Sequence, residues 1–344
     1  MANLYLDIHV LQTVPPSCIN RDDTGSPKTA VYGGTLRARV SSQAWKKAVR
    51  DYFKSNAVDS GIRTKNVQDL IADEIRNLGG SDPDKNAEKI LRCTKIQADK
   101  KNPEKTGALF FISKAQARAL AELAVGDDFD KAKAEAAIND NPAIDMALFG
   151  RMVADDAGLN IDASAQVAHA ISTHRVNNEY DYFTALDDNK TDEDSAGAGM
   201  LGTIEYNSST LYRYATVALH DLKNYVGEKT GEAAAIFTKA FICSMPTGKQ
   251  NTFANRTLPY AAYICLRGDQ PINLAGAFEK AVTAKNDGFA EASSKKLAEH
   301  AAGVYADWAE EPLEAYAVGN IDMGQKISLK DLTEKLEAEI SKIV

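Results

Sequence analysis

Residues 19–50 read INRDDTGSPKTAVYGGTLRARVSSQAWKKAVR. A charged loop passes through the Gly33-Gly34 turn into an alternating strand, and two serines then open a helix. Within the strand, Leu36, Ala38 and Val40 alternate with Arg37 and Arg39. Both arginines therefore share one face, either solvated or turned toward an anion. Ser41 or Ser42 caps the helix, whose apolar stripe is Ala44, Trp45, Ala48, Val49, Tyr52 and Phe53. Gln43, Lys46, Lys47 and Arg50 lie off that stripe. A helix start offers unpaired backbone N–H groups and the positive end of the helix dipole. With the lysines and Arg50 beside it, the stretch suits a phosphate, and in series a nucleic-acid backbone.

The totals bound what surrounds this stretch. The chain has 344 residues, of which 44% are hydrophobic, enough for a sizeable folded core. No apolar run reaches the roughly 20 residues of a membrane span. The opening MANLYLDIHVLQ alternates and carries Asp7, unlike a secretory signal. Cys18, Cys93, Cys243 and Cys265 form no CxxC pair and read as reduced thiols of a cytoplasmic protein. A net charge of −8 argues against nucleic-acid binding over the whole surface. Yet residues 1–50 carry seven basic residues against three acidic ones. The basic track is local.

Along the chain, Leu4, Leu6, Ile8 and Val10 predict a half-buried strand, with His9 on its other face and Pro15-Pro16 at its end. Residues 54–150 are mostly helical, with elements predicted over 67–78, 84–93 and 113–125. Between the last two, RCTKIQADKKNPEK presents Lys95, Lys100, Lys101 and Lys105, a basic loop able to touch DNA without sequence preference or simply to be solvated. Gly150-Arg151-Met152 ends a short apolar segment; the glycine permits close backbone approach, and Arg151 and Met152 could clamp or wedge a ligand. Residues 163–174 read as strand or short helix. Residues 177–202 predict a long exposed loop with Tyr182, Phe183 and Thr184 at its base and the acidic run DDNKTDED at its tip. Strands are expected over 203–206 and 210–219, a helix over 231–245, a strand over 260–267, helices over 274–284 and 289–310, a strand over 313–318 and a final helix from Ser328. The segment PTGKQNTFA, with Lys249, Gln250 and Asn251, suits an oxyanion or a sugar-phosphate but is no Walker loop. Dinucleotide, serine-hydrolase and metalloprotease motifs are absent, so the residues imply no cofactor, metal or catalytic set. Strands interrupted by helices and irregular insertions give an α+β fold class.

Five segments together resemble the CasC-type backbone subunits of the type I-E CRISPR Cascade complex. They are PPSCINRDDTGSPKTAVYGGTLRARVSSQAWKKAVR, LFGRM, AHAISTHRVNNEYDYFTALDD, SSTLYRYATVAL and PTGKQNTFA. The resemblance implies a ferredoxin-like, RNA-recognition-motif-type palm with a helical finger insertion and a β-hairpin thumb. The palm would comprise residues 1–53 with the guide-binding loop and helix, 151–176, and 209–344 with the C-terminal helices. The finger would be 54–150 and the thumb loop 177–208. It implies a non-catalytic subunit that polymerises along CRISPR guide RNA and kinks it at intervals, leaving its bases free for target DNA. Partners would be guide RNA, target DNA, further copies of the chain and other Cascade subunits, with no membrane. Asn20, Arg21, Lys28, Ser41, Gln43, Lys46, Lys47 and Arg50 would hold the guide, and Met152, beside Arg151, would pack at the kink. Tyr182, Phe183 and Thr184 would meet the displaced nucleotide, and Lys249, Gln250 and Asn251 the backbone or sugar. The acidic thumb tip departs from the family pattern.

A rival reading is a metal-dependent RNA endonuclease like the related type III backbone subunits. Asp22 or Asp23 would then hold Mg²⁺ in the loop after the first strand. A third is a monomeric binder of a small phosphate at the start of the Ser41–Arg50 helix.

Overall fold

The alternation around Asp7 builds the strand on which the molecule is centred. The computed structural model describes residues 3–153, 156–185, 200–284 and 288–344. In chain order, β1 (Tyr5–Ser17), β2 (Thr29–Tyr32) and β3 (Thr35–Val40) lead into α1 (Ser42–Ser55). A mainly helical insertion follows: β4 (Ile62–Thr64), α2 (Val67–Asn77), α3 (Pro83–Cys93), β5 (Phe110–Ile112), α4 (Lys114–Val125), α5 (Lys131–Asn139) and α6 (Ile144–Phe149). Next come β6 (Ala165–Val167), β7 (Ala170–Ser172), β8 (Glu179–Ala185), β9 (Met200–Ala218), α7 (Leu219–Val226), α8 (Thr230–Cys243) and α9 (Gln250–Phe253). The chain closes with β10 (Ala261–Arg267), α10 (Ala290–Asp307), β11 (Glu314–Gly319), β12 (Gln325–Lys326) and α11 (Leu329–Ile343).

The main sheet runs β12-β11-β10-β1-β9-β7-β3-β2, with β6 and β8 also pairing β9. Its pairings are antiparallel except for β11 with β12. This is an α+β architecture with helices on both faces. On one face Leu6, Ile8 and Val10 pack with Phe237 and Phe241 of α8, Leu336 of α11 and Phe53 of α1. On the other, Leu11, Tyr212, Tyr214 and Tyr263 meet Phe278 and the α10 residues Leu297 and Ala301. The insertion has a core of its own, in which Ile71 and Ile75 of α2 meet Ile90, Leu120 and Ile138. A capping box at Ser113 and Gln116 starts α4.

Several elements differ from their sequence reading. β1 continues through Pro15-Pro16, because its register with β9 shifts between Val14 and Ser17 and the irregularity accommodates the missing donors. The strands expected at 203–206 and 210–219 are one strand, β9. Residues 163–174 form two short strands, and 274–284 keeps only a single-turn helix over Leu274–Phe278. On β3 the faces are not as expected. Leu36 is exposed, while Arg37 is fully buried and donates to the carbonyls of Ser172, Phe278 and Glu279.

The α10 face of β1 is polar as well as aromatic. Asp7 accepts from the Tyr214 hydroxyl at 2.9 Å and from the Ile272 amide at 2.8 Å. His9 pairs with the Tyr212 hydroxyl at 2.9 Å. Burial raises Asp7 from its ordinary 3.8 to about 6 and lowers His9 to about 3. The signs are opposite. Because the fold prefers the protonated Asp7, that contribution is full below its unfolded value and is lost as pH rises through about 6. His9, preferred neutral, contributes above its unfolded value and loses its contribution as pH falls. Urea unfolding of the wild type and Asp7→Asn isolates the acid. The stability of wild type relative to the variant is expected to fall by about 2 kcal/mol between about pH 4 and pH 7. A flat difference would show that Asp7 does not titrate there.

Candidate nucleic-acid interface

The loop between β1 and β2 is shaped by its own side chains. The Asp22 carboxylate accepts from the Thr24 hydroxyl at 2.7 Å and from the amides of Thr24 and Ser26, both at 3.0 Å. The Thr24 hydroxyl bond is the main force holding its carboxyl below the usual range. Asn20 ties the loop to the helix: its side-chain oxygen accepts from Ser41 N at 2.9 Å, and its carbonyl accepts from Lys28 N. Arg21 is left exposed and Lys28 half-buried.

The start of α1 is more occupied than its sequence suggests. Ser41 is buried and its hydroxyl caps the Ala44 amide. The Ser42 amide donates to His169 Nδ1 at 2.9 Å. The Ser42 and Ala44 amides therefore already have protein partners. Burial lowers His169, and the charges of Arg39 and Lys28 lower it further, which places both cations beside the helix start. Gln43 is exposed. Lys46 is half-buried over the Phe149 ring at 5.5 Å, and burial and then Arg63 lower its pKa.

Three of the expected contacts are spent on structure. Arg50 Nε donates to the buried Asp145 at 2.7 Å and its Nη2 to Gly61 O, fastening α1 to the insertion. Arg151 is buried, donating to Leu159 O, Phe111 O, Ile138 O and Asn139 Oδ1, and burial pushes it down to about 10. Its side chain has no face for a ligand, contrary to the clamp expected of it. Lys95 is drawn to Glu135 at 3.4 Å and Asp156 at 3.7 Å, away from the other loop lysines. Lys47 pairs with Asp51 at 2.5 Å but stays exposed. In the basic loop, Asp99 caps the amides of Lys101 and Asn102, and Lys100, Lys101 and Lys105 project outward. Met152 is 88% exposed on a cleft of about 220 Å³ that Leu109 and Val153 also line.

The segment after α8 comes back to the β1–β2 loop. A Cβ on Gly248 would lie 2.3 Å from Ile19 O, so only glycine allows this approach. Lys249, at φ 46°, starts α9. Burial raises the Cys18 thiol, and Lys249 and then Arg21 oppose that rise, so the two cations converge near Cys18. Gln250 is half-buried and Asn251 exposed. Tyr206, on β9, meets Phe253 of α9 at 5.9 Å.

β8 and the start of β9 form an antiparallel ribbon, with Tyr182 opposite Thr203, Phe183 opposite Gly202 and Thr184 opposite Leu201. All of β8 is exposed, including Tyr182, Phe183 and Thr184. Phe183 lies across Gly202, where a Cβ would sit 2.4 Å from the ring. The acidic run 187–194 lies outside the described residues.

Sequence reading missed Arg63. It stacks on Phe111 at 4.6 Å, as Arg50 does, and the Arg50 charge lowers its pKa after burial. Only the fold of the insertion brings it beside Lys46. Among the described residues, one cluster has metal-ligand spacing: Asp7, His9 and Cys265, whose donor atoms lie within 4.8 Å of one another. Both Asp7 oxygens and His9 Nδ1 already have partners, and burial keeps the thiol protonated. Asp22 and Asp23 do not belong to it. Among the described residues no helix is long and apolar enough to cross a membrane.

Comparisons with known proteins bear on the fold and the family. A chain of a "CRISPR RNA-guided surveillance complex, pre-nicking" is 32% identical, covers 99% of this chain and 100% of its own, and superposes with a TM-score of 0.81. A chain of a "CRISPR RNA-guided surveillance complex" is 28% identical with the same coverage and a TM-score of 0.65. No curated protein matches. The family model described as CT1975-like protein matches residues 6–343, and the chain belongs to that Cas family.

Proposed function

We propose that the chain is a non-catalytic backbone subunit of a CRISPR surveillance complex. It polymerises along guide RNA, holds its phosphate backbone and kinks it at intervals, so that the bases pair with target DNA. In this reading the main sheet with α1 is the palm, residues 54–150 are the finger and the β8–β9 ribbon is the thumb. The family and the two surveillance-complex likenesses support a CRISPR-RNA-binding component with other complex subunits as partners.

The observation that carries the reading is the grouping of cations from distant segments around α1. The charges of Arg39 and Lys28 both act on His169 at the helix start, those of Lys249 and Arg21 both act on Cys18, and that of Arg63 acts on Lys46. These groups offer charge and few base-selective shapes, which suits a strand of arbitrary sequence. Gln43, Gln250 and Asn251 add neutral donors beside them. The exposed Tyr182 and Phe183 offer stacking surfaces for a displaced base. Lys100, Lys101 and Lys105 suit target DNA, and Met152 suits the kink.

Lys28→Ala and Lys46→Ala are each expected to weaken guide binding equally for unrelated spacers. Each should reduce the slope of log K against log salt by about 0.7. Spacer-dependent losses would mean base readout instead. Tyr182→Ser should shift stability by no more than about 0.5 kcal/mol, since that side chain is exposed. It should nonetheless reduce guide-dependent oligomers in size-exclusion chromatography, whereas a monomeric phosphate binder would form none in either protein. With Mg²⁺ and guide-complementary RNA, the assembled complex is expected to leave the RNA intact. Cleavage abolished by Asp22→Ala or Asp23→Ala would establish the endonuclease instead.

A further inference from the structure

The segment just before β7 brings an imidazole to the start of α1. β7 pairs β3 at Arg39↔Ile171 and Val40↔Ala170. That register carries His169, the residue before β7, to the serines that open the helix. There the Ser42 amide donates to its Nδ1 at 2.9 Å. An accepting Nδ1 leaves the proton of the neutral ring on Nε2. The ring is exposed, and its Nε2 has no protein partner among the described residues. His169 therefore presents one N–H donor outward, on a ring whose other nitrogen is already held.

Its surroundings are cationic. The Arg39 amide donates to the Lys28 carbonyl at 2.9 Å and its Nε to Thr29 O at 3.3 Å, so Lys28 and Arg39 are held side by side. The charges that act on the imidazole are those two, Arg39 the more strongly, and with burial they keep it neutral. Neither cation has a carboxylate within ion-pair distance among the described residues. Asn20, whose side chain accepts from the Ser41 amide, lines the same cleft as Lys28 and Arg39. The Ser42 and Ala44 amides are taken, so a ligand here meets side chains: two unneutralised charges and one neutral donor. An accessible donor beside two unpaired cations suits an anion with several oxygens.

We infer that His169 is a phosphate-binding residue of the groove, donating from Nε2 to a backbone phosphate that Arg39 and Lys28 also hold. The inference rests on the guide-binding reading above. It adds His169 and Arg39 to the RNA-binding residues and gives Ser42 the part of holding the ring. A neutral donor of fixed tautomer marks where the phosphate sits without adding charge, so the strand is placed as well as attracted.

Asparagine and glutamine separate the two ring nitrogens. In His169→Asn the side-chain oxygen stands where Nδ1 accepts, with nothing in the place of Nε2. In His169→Gln the side-chain amide reaches the place of Nε2. Guide binding is measured by fluorescence anisotropy of the full-length chain with a labelled single-stranded guide RNA over a salt series. Thermal midpoints are taken alongside, and Arg39→Ala and Lys46→Ala are compared. His169→Asn should weaken binding roughly tenfold at the wild-type midpoint and leave the salt slope unchanged, since a donor and no charge is lost. His169→Gln should recover most of that loss. Arg39→Ala should weaken binding and lower the salt slope by about 0.7. If His169→Asn binds like wild type while Lys46→Ala binds weakly, His169 only holds the helix start; the inference is then overturned and the groove reading stands. A loss in His169→Asn that merely follows a lowered midpoint, with no recovery in His169→Gln, would likewise mark a structural role and overturn it. If wild type itself does not bind the guide, the guide-binding reading fails first and the inference falls with it.

Discussion

A guanidinium with no carboxylate partner among the described residues sits where the main layers of the molecule meet. Arg213, on β9, stacks on Trp45 of α1 at 3.7 Å and on Phe241 of α8 at 4.6 Å. It donates to Gln12 on β1 at 2.7 Å and to the Phe241 carbonyl. Burial pushes its pKa down to about 9, yet it stays charged at neutral pH. A cation so enclosed is held by ring faces and carbonyl dipoles in place of a counter-ion. The arrangement fixes α1, which carries the cationic side chains, against β9, which carries the projecting ribbon. Gln43 and Lys46 therefore have a fixed position relative to Tyr182 and Phe183. That relation matters in any account in which one strand of RNA meets both.

The same residue type plays opposite parts elsewhere, which is why the site was only partly legible in the sequence. The period-two pattern of β1 and the serine-capped amphipathic α1 could be read because local spacing determines them. The partners of the arginines could not. Arg37 finds carbonyls at Ser172 and Phe278, and Arg50 finds Asp145 across the insertion. Arg151 is closed in by Phe111, Ile138 and Leu159. Each looks in sequence like Lys28, a basic residue in a basic neighbourhood. Arginine's planar fork can satisfy several carbonyls at once, so a fold readily takes it inside. Lysine, a compact and strongly hydrated charge, is left at the surface more often. Lys28, Lys46 and Lys249 are half-buried, as is Arg50 beside Asp145, while Arg37 and Arg151 are buried.

Asp22 follows the same logic with the opposite sign. In sequence it is an acid in a loop, equally able to hold a metal or to shape the chain. In the fold its Oδ1 accepts three bonds from its own loop, and the loop it shapes presents Arg21. Such bonds favour the ionised carboxylate without any metal. The acid that suggested catalysis is accounted for by the turn it stabilises.

The ribbon poses the last constraint. β9 is anchored along its second half between β1 and the short strands β6 and β7, but its first half pairs only with β8. Every residue of β8 is exposed, aromatic ones included. A two-stranded ribbon with one strand exposed throughout gains little from burial and is marginal alone. Its stability comes from continuity with the anchored half and from Phe183 lying over Gly202. Large aromatic side chains held out from a sheet in this way lack the usual reason for being aromatic, which is a core. A surface that stacks on them supplies one, and nucleobases do so without sequence preference. The net charge of −8 is compatible with this, because residues 1–50 carry seven basic residues against three acidic ones and the acidic excess lies in the rest of the sequence. A narrow positive track on an acidic body holds one polyanion in place and discourages others from settling on the remaining surface.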